Sequence, residues 1–196
     1  MPEPLYLHIK RHTALSEAGF NAIRGYFDTR KVKKKELLVT EGKLCTRHFF
    51  VVKGCLRLFF LKEDGQEQTI QFAIENWWMT DIDAFNKKKR AAFSVQAIEA
   101  TEVLEIEKNR LDELLETHPV MERYFRMVYE RAYTASLFRV KYIFQLSKDA
   151  FYERFSNTYP EFVQRIPQKI LASFLGFTPE YLSALRKKKA LKGRKG

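Results

Sequence analysis

QKILASFLGFTPEYLSALRKKK, residues 168–189, is the stretch on which the reading of this chain turns. Its apolar positions fall into two helical stripes, Leu171, Ala172 and Leu175 before Gly176, then Leu182 and Leu185 after it. Gly176 stands where a tight turn between helices needs positive φ, which glycine adopts without a Cβ clash. Ala172 is small enough for two helices to approach closely. Thr178 is placed to cap the second helix, and Pro179 at its first position gives up no hydrogen bond. The pattern predicts a helix-turn-helix, a unit whose second helix lies in the major groove of DNA.

Charge follows the same segment. The chain carries a formal net charge of +11, and from Arg165 to Gly196 nine Lys or Arg stand against a single acid, Glu180. Most of the excess therefore sits where phosphate contact requires it. Taken alone, KKKALKGRKG (187–196) reads as a solvated tail; behind the helix pair it reads as a phosphate-binding surface. A hydrophobic content of 45% over 196 residues fills one large or two small domains, and the 14% aromatic content excludes a disordered chain. No N-terminal stretch has the apolar core of a signal peptide and no run approaches a membrane span, which predicts a cytoplasmic protein with no membrane partner. Cys45 and Cys55 are too few to hold an iron–sulfur cluster within one chain, and reduced thiols are expected.

Upstream, the period changes. Phe20, Ile23 and Phe27 share one side of a short helix over 16–27, and a basic stretch, Arg30 to Lys35, leads into strand-like sequence. From Leu37 to Ile106 apolar and polar residues alternate in short runs: 48–61 around Gly54, then Ile70, Phe72 and Ile74, then Phe93, Val95 and Ala97, then 103–106. Glu63-Asp64-Gly65 reads as a hairpin turn. Such spacing predicts a small barrel or roll. Asn109 is placed to cap a helix over 110–116, and Pro119 opens a longer one to about 146. Met121, Phe125, Val128, Ala132, Ala135 and Tyr142 follow alternating four- and three-residue steps there, interrupted by Arg139. That stripe fits burial against the helix's own domain or against a twin helix. Ser147 caps a further helix over 148–158.

His8, His12, His48 and His118 show neither H-x-H nor H-E-x-x-H spacing, so no metal is expected. G-x-S-x-G, P-loop and G-x-G-x-x-G motifs are all missing, so no enzyme is expected, with a cupin-like enzyme as the remaining catalytic alternative. One segment invites a ligand, ENWWMTDIDAFNKKKRAAF (75–93). Trp78, Asp81 and Arg90 can frame a phosphate-bearing molecule, with Arg90 as the anion contact; equally, the lysines are solvated and the tryptophans pack.

The order of a short helix, a roll, a long helix and a helix-turn-helix resembles the Crp/Fnr family of bacterial transcription regulators. The resemblance runs from about Leu15 to Lys189 and rests on LVTEGKLCTRHFFVVKGCLRLF (38–59), EDGQEQTIQF (63–72), SVQAIEATEVLEI (94–106) and IPQKILASFLGFTPEYLSALRKK (166–188). It implies an α+β fold, with an antiparallel, jelly-roll-like β-roll and flanking helices over 1–146, closed by a dimerisation helix at about 119–146. A helix-turn-helix domain over 147–196 follows, its wing reduced or missing. It further implies a homodimer on a roughly two-fold symmetric double-stranded DNA site, with RNA polymerase as a further partner. The six residues of the long-helix stripe, Met121 to Tyr142, become the dimer interface.

By the same resemblance, Thr178 and Tyr181 meet phosphate or the groove edge. Pro179, Glu180 and Ala184 read bases with Ser183 and Lys187 flanking them, and Arg186, Lys187 and Lys188 hold phosphate. Glu180 can accept a hydrogen bond from cytosine N4. Members that bind cyclic AMP carry Gly-Glu followed by Arg-Ser or Arg-Thr. Here Thr80-Asp81 stands near the first pair, Ala91-Ala92 aligns with the second, and Arg90 is one place off register. Cyclic AMP is therefore not the expected ligand. A small-molecule sensor acting through protein partners is the alternative function.

Overall fold

The alternating sequence between residues 28 and 107 becomes two four-stranded antiparallel sheets. Their strands are β1 (Asp28–Val32), β2 (Leu37–Val39), β3 (Arg47–Lys53), β4 (Leu56–Leu61), β5 (Glu67–Ala73), β6 (Trp78–Met79), β7 (Ser94–Ala97) and β8 (Thr101–Glu107). One sheet has the order β1-β8-β3-β6 and the other β2-β7-β4-β5. The computed structural model describes residues 3–192, with side chains through Lys189. These residues group into two units, one of residues 1–60 and 70–132, the other of residues 61–69 and 133–196.

In the first unit, β3 and β8 lie inside their sheet, pairing Phe49 with Glu105 and Phe50 with Leu104. Both faces of these strands are covered, so Phe49, Phe50, Val51, Val103, Leu104 and Ile106 are all fully buried. That accounts for the run of apolar residues at 48–61, where a half-exposed strand would alternate. Gly54 turns β3 into β4 at φ +111°, and a Cβ there would stand 2.7 Å from the Thr101 Cα. Gly54→Ala is accordingly expected to cost at least about 2 kcal/mol in urea unfolding. Gly25→Ala, with open space around it, should change little.

The helices of this unit are α1 (Glu3–Lys10), α2 (Glu17–Ile23), α3 (Ile82–Asn86), α4 (Lys108–Thr117) and the start of α5 (Pro119–Gln145). Ser16 Oγ accepts from the Gly19 N–H at 3.0 Å and starts α2. Three features depart from the sequence reading. Helix α1 was not expected, and it buries Leu5 and Ile9 completely. Helix α3 lies within the segment at 75–93 that invited a ligand, where no helix was expected. Asn109 lies in the first turn of α4 and does not cap it, because Glu107 holds the N-cap position and the Asn109 side chain accepts from Lys88 Nζ at 2.7 Å.

The stripe assigned to a dimer seam divides along α5. Met121 and Phe125 are buried within their own unit and Val128 packs against its core, so the first half of the stripe is covered by the roll. Tyr142 is half-buried in the second unit, its ring 6.4 Å from Phe151 and beneath the Arg154 guanidinium at 4.4 Å. Ala132 is half-buried and Ala135 exposed. Another stripe at the same four–three spacing is open instead: Tyr133, Leu137, Val140 and Phe144 are 66%, 50%, 47% and 86% exposed. Both stripes have coiled-coil spacing, and only packing decides which one the chain covers itself.

In the second unit, α6 (Lys148–Thr158), α7 (Pro160–Arg165), α8 (Gln168–Leu175) and α9 (Pro179–Lys192) follow. Their core is built from Phe151, Phe155, Ile166, Leu171, Ala172, Leu175, Phe177, Leu182 and Leu185. Ser147 Oγ caps α6 by accepting from the Ala150 N–H at 3.3 Å. The expected reduced or missing wing would follow α9 and lies outside the described residues, and among the described residues no helix is long and apolar enough to cross a membrane.

Candidate nucleic-acid interface and ligand cradle

The α8–α9 turn forms as its residue types dictate. Gly176 closes α8 at φ +75°, with its N–H bonded to Ser173 O at 3.2 Å and the Phe177 N–H bonded to Ala172 O at 2.9 Å. Thr178 Oγ1 then accepts from the Tyr181 N–H at 3.2 Å, and Pro179 begins α9. Gln168 Nε2 ties the two helices by donating to Pro179 O at 3.0 Å. Leu171, Ala172 and Leu182 are fully buried between them. Ser173 Oγ donates to Glu67 O at 2.8 Å and accepts from the Thr69 N–H at 2.8 Å, so α8 is seated on the β4–β5 tip within its unit.

Packing sorts the nine candidate DNA contacts. Glu180, Ala184 and Lys187, at steps of four and three, share an exposed face of α9. Pro179 and Ser183 are half-buried at its edge, and Thr178 is exposed while serving as the cap. Arg186 folds back, donating to the Val163 carbonyl, so it braces α7 against α9 and is removed from the set of free phosphate contacts. Asp149 holds two others: the Tyr181 hydroxyl donates to it at 2.6 Å, and Lys188 Nζ lies 3.3 Å away. The same bond pushes the Tyr181 hydroxyl above its ordinary pKa. Lys189 donates to Ser156 Oγ at 2.6 Å and Asn157 Oδ1 at 2.9 Å. The end of the basic tail, Gly193 to Gly196, lies outside the described residues.

The ligand triad behaves differently. Trp78 is only 5% exposed, its ring 5.1 Å from Phe125 and 5.3 Å from Phe50, with Nε1 donating to the Tyr124 hydroxyl at 2.9 Å. It is a core residue. Arg90 donates to Gly42 O at 2.7 Å and does not meet Asp81. The Asp81 carboxylate, 3% exposed, caps α3 by accepting from the Ala84 N–H at 3.2 Å. Its other oxygen accepts from the Ala92 N–H at 2.7 Å and the Phe93 N–H at 3.2 Å. An internal carboxylate thus satisfies the amide within the Ala91-Ala92 pair and the one that follows it. Asp81→Ala leaves three backbone N–H groups unpaired and is expected to cost about 3 kcal/mol, read as a lower thermal midpoint, with Asp81→Asn between it and the parent chain. Beside this cradle, Lys87 and Lys89 hold the Asp83 carboxyl below the usual carboxylate range. Cys45 is buried against Thr80 Oγ1 at 3.2 Å, and burial pushes its thiol up.

Sequence reasoning missed the residues that α1 brings to the roll. His8 Nδ1 lies 2.7 Å from the Tyr124 hydroxyl, a contact 116 positions apart that no local pattern announces.

Comparison with known proteins agrees with this architecture. Residues 29–118 match the model of the cyclic nucleotide-binding domain. The transcriptional activator protein Anr of Pseudomonas protegens is 31% identical over 128 residues, which are 65% of this chain and 49% of Anr, so the match spans about half of that relative's length. FixK2 from Bradyrhizobium japonicum superposes with a TM-score of 0.72 at 16% identity, over 85% of this chain and 86% of its own. A crp/fnr-family protein from Eubacterium rectale gives 0.68 at 17% identity, over 91% and 85%. Roll, long helix and terminal helix pair occur here in the order found in those solved structures, so the chain shares their fold, and its roll is similar to the cyclic nucleotide-binding domain.

Proposed function

We propose that this chain is a sequence-specific, duplex-DNA-binding transcription regulator that acts as a homodimer. The observation that carries the proposal is the capped α8–α9 pair, which presents Glu180, Ala184 and Lys187 on one open helical face. Glu180 and Ala184 meet base edges, Lys187 takes phosphate, and Lys169 on α8 adds an exposed cation beside them. Tyr181 and Lys188 reach the backbone by exchanging Asp149 for phosphate. Tyr133, Leu137, Val140 and Phe144 form the seam with a second copy, since their 3.5-residue spacing suits a parallel coiled coil. The sensor domain runs to residue 146 and the reader starts at Ser147, whose cap opens the first helix of the reader. RNA polymerase is the partner such a regulator addresses once bound. The Anr relative, a transcriptional activator, supports the same reading.

Selection of bound sequences from random duplex DNA tests it. The expected product is a two-fold symmetric site whose affinity falls steeply with salt. Glu180→Ala should relax preference at one position in each half-site by about 1–3 kcal/mol, while Lys187→Ala weakens all sequences alike and flattens the salt slope. Affinity that ignores both substitutions would overturn the placement of α9.

A further inference from the structure

Residue 139 falls on the inner stripe of α5, between Ala135 and Tyr142, where four- and three-residue steps call for an apolar side chain. The chain places Arg139 there. It is half-buried, and its Nε is buried with no partner among the described residues. Burial works against its charge, a cost that an apolar side chain of similar size avoids. What the guanidinium gains is direction. Its Nη2 donates to the Phe174 carbonyl at 2.7 Å, and its carbon stands 4.6 Å from the centre of the Phe174 ring.

Phe174 lies in the last turn of α8, where carbonyls have no partner inside the helix. The Gly176 and Phe177 amides take those of Ser173 and Ala172, and Arg139 takes that of Phe174. A cation at this end also complements the helix dipole. The Phe174 ring in turn meets Phe155 of α6 at 5.6 Å. One α5 side chain thus holds both the backbone and the ring of a residue two places before the Gly176 turn, from which α9 departs. Residues 133–196 belong to one unit, so the grip is internal to it. The open stripe of Leu137, Val140 and Phe144 lies about a third of a turn round the same helix.

We propose that Arg139 is a positioning residue for DNA recognition, a role that rests on the dimeric DNA-binding reading above. By fixing α8 on the last turns of α5, it sets the direction of α9 relative to the seam, and so the half-site separation that a dimer accepts. Arg139→Met and Arg139→Lys in the full chain test it. Each is titrated with single half-sites and with two-half-site duplexes whose separation is varied base pair by base pair, built from the sequence selected by the parent chain. Arg139→Met is expected to keep half-site affinity within about twofold, to lose about tenfold or more on the best-spaced duplex, and to accept a wider range of separations. Arg139→Lys, which keeps the charge and a donor, should recover part of the affinity and of the spacing preference. A parent-like spacing profile in Arg139→Met, or an equal loss on half-sites and full sites, would overturn the proposal while leaving the DNA-binding reading intact. A parent chain that binds one half-site as tightly as two, or no duplex at all, would overturn that reading and this role with it.

Discussion

A chain carrying Leu137→Glu and Phe144→Glu is expected to be a monomer that binds a two-half-site operator about 100-fold or more weakly than the parent chain. The two side chains are 50% and 86% exposed and one heptad apart, with Val140 between them. In the proposed dimer, docking one reader places the second at a high local concentration over its half-site. Without the seam each half-site is bound alone, and that gain disappears without any change on α9. Sedimentation gives the oligomeric state, and titration of full and half operators separates the two effects: half-site affinity should be unaltered. Met121→Glu is the contrasting variant. Met121 is fully buried in its own unit, so this change should unfold the roll itself, where the seam variant only separates folded copies. A double variant that remains dimeric would show that another surface joins the copies.

Acidification from pH 7.5 to 4.5 is expected to lower the unfolding free energy of the roll by about 5 kcal/mol, through two buried histidines. His48 is 2% exposed, packed near Trp78, Phe85 and Phe125 and stacked on Tyr129 at 6.1 Å, and burial lowers its pKa to about 3. His8 is lowered to about 4, again chiefly by burial. Both folded values lie below the ordinary 6.5, so the unfolded chain binds more protons throughout this window. Their contribution is complete above pH 6.5 and is lost as pH falls toward the folded values. At about 1.36 kcal/mol per unit, each group forfeits roughly 2–3 kcal/mol by pH 4.5. Urea unfolding followed by tryptophan emission reads this unit selectively, because the chain's two tryptophans, Trp77 and Trp78, both lie in it. His48→Leu should remove about half of the slope. A midpoint independent of pH between 6.5 and 4.5 would mean that the histidines are not held neutral by the fold.

The helix-turn-helix was legible in the sequence because its determinants are local. A glycine at positive φ, a threonine cap, a proline at the first helical position and two short apolar stripes act within a few residues of one another. The roll was legible for a related reason: alternation and spaced glycines mark strands before any pairing is known. The seam was not. Met121 and Phe125 belong to a stripe that follows the same rule as Tyr133, Leu137, Val140 and Phe144, and periodicity does not say which body covers which stripe. Arg186 looked like a free cation until α7 brought the Val163 carbonyl to it. Trp78 looked like a ligand platform until α5 supplied Tyr124 for its N–H. In each case the deciding contact comes from an element distant in sequence, where patterns of neighbouring residues carry no information.

The Asp81 carboxylate also bears on how this roll could ever be switched. It lies on the segment that resembles the ribose-binding pair, and it is bonded to the amides beside the segment that resembles the phosphate-binding pair. Any anion arriving there meets a competitor that is covalently tethered, already oriented, and cannot diffuse away. Dilution, metabolic depletion or export, the ordinary means of emptying a sensor, do not act on such an occupant. Control of this chain through the cradle would therefore have to operate on the chain itself, by its synthesis or its destruction, or else enter by another door.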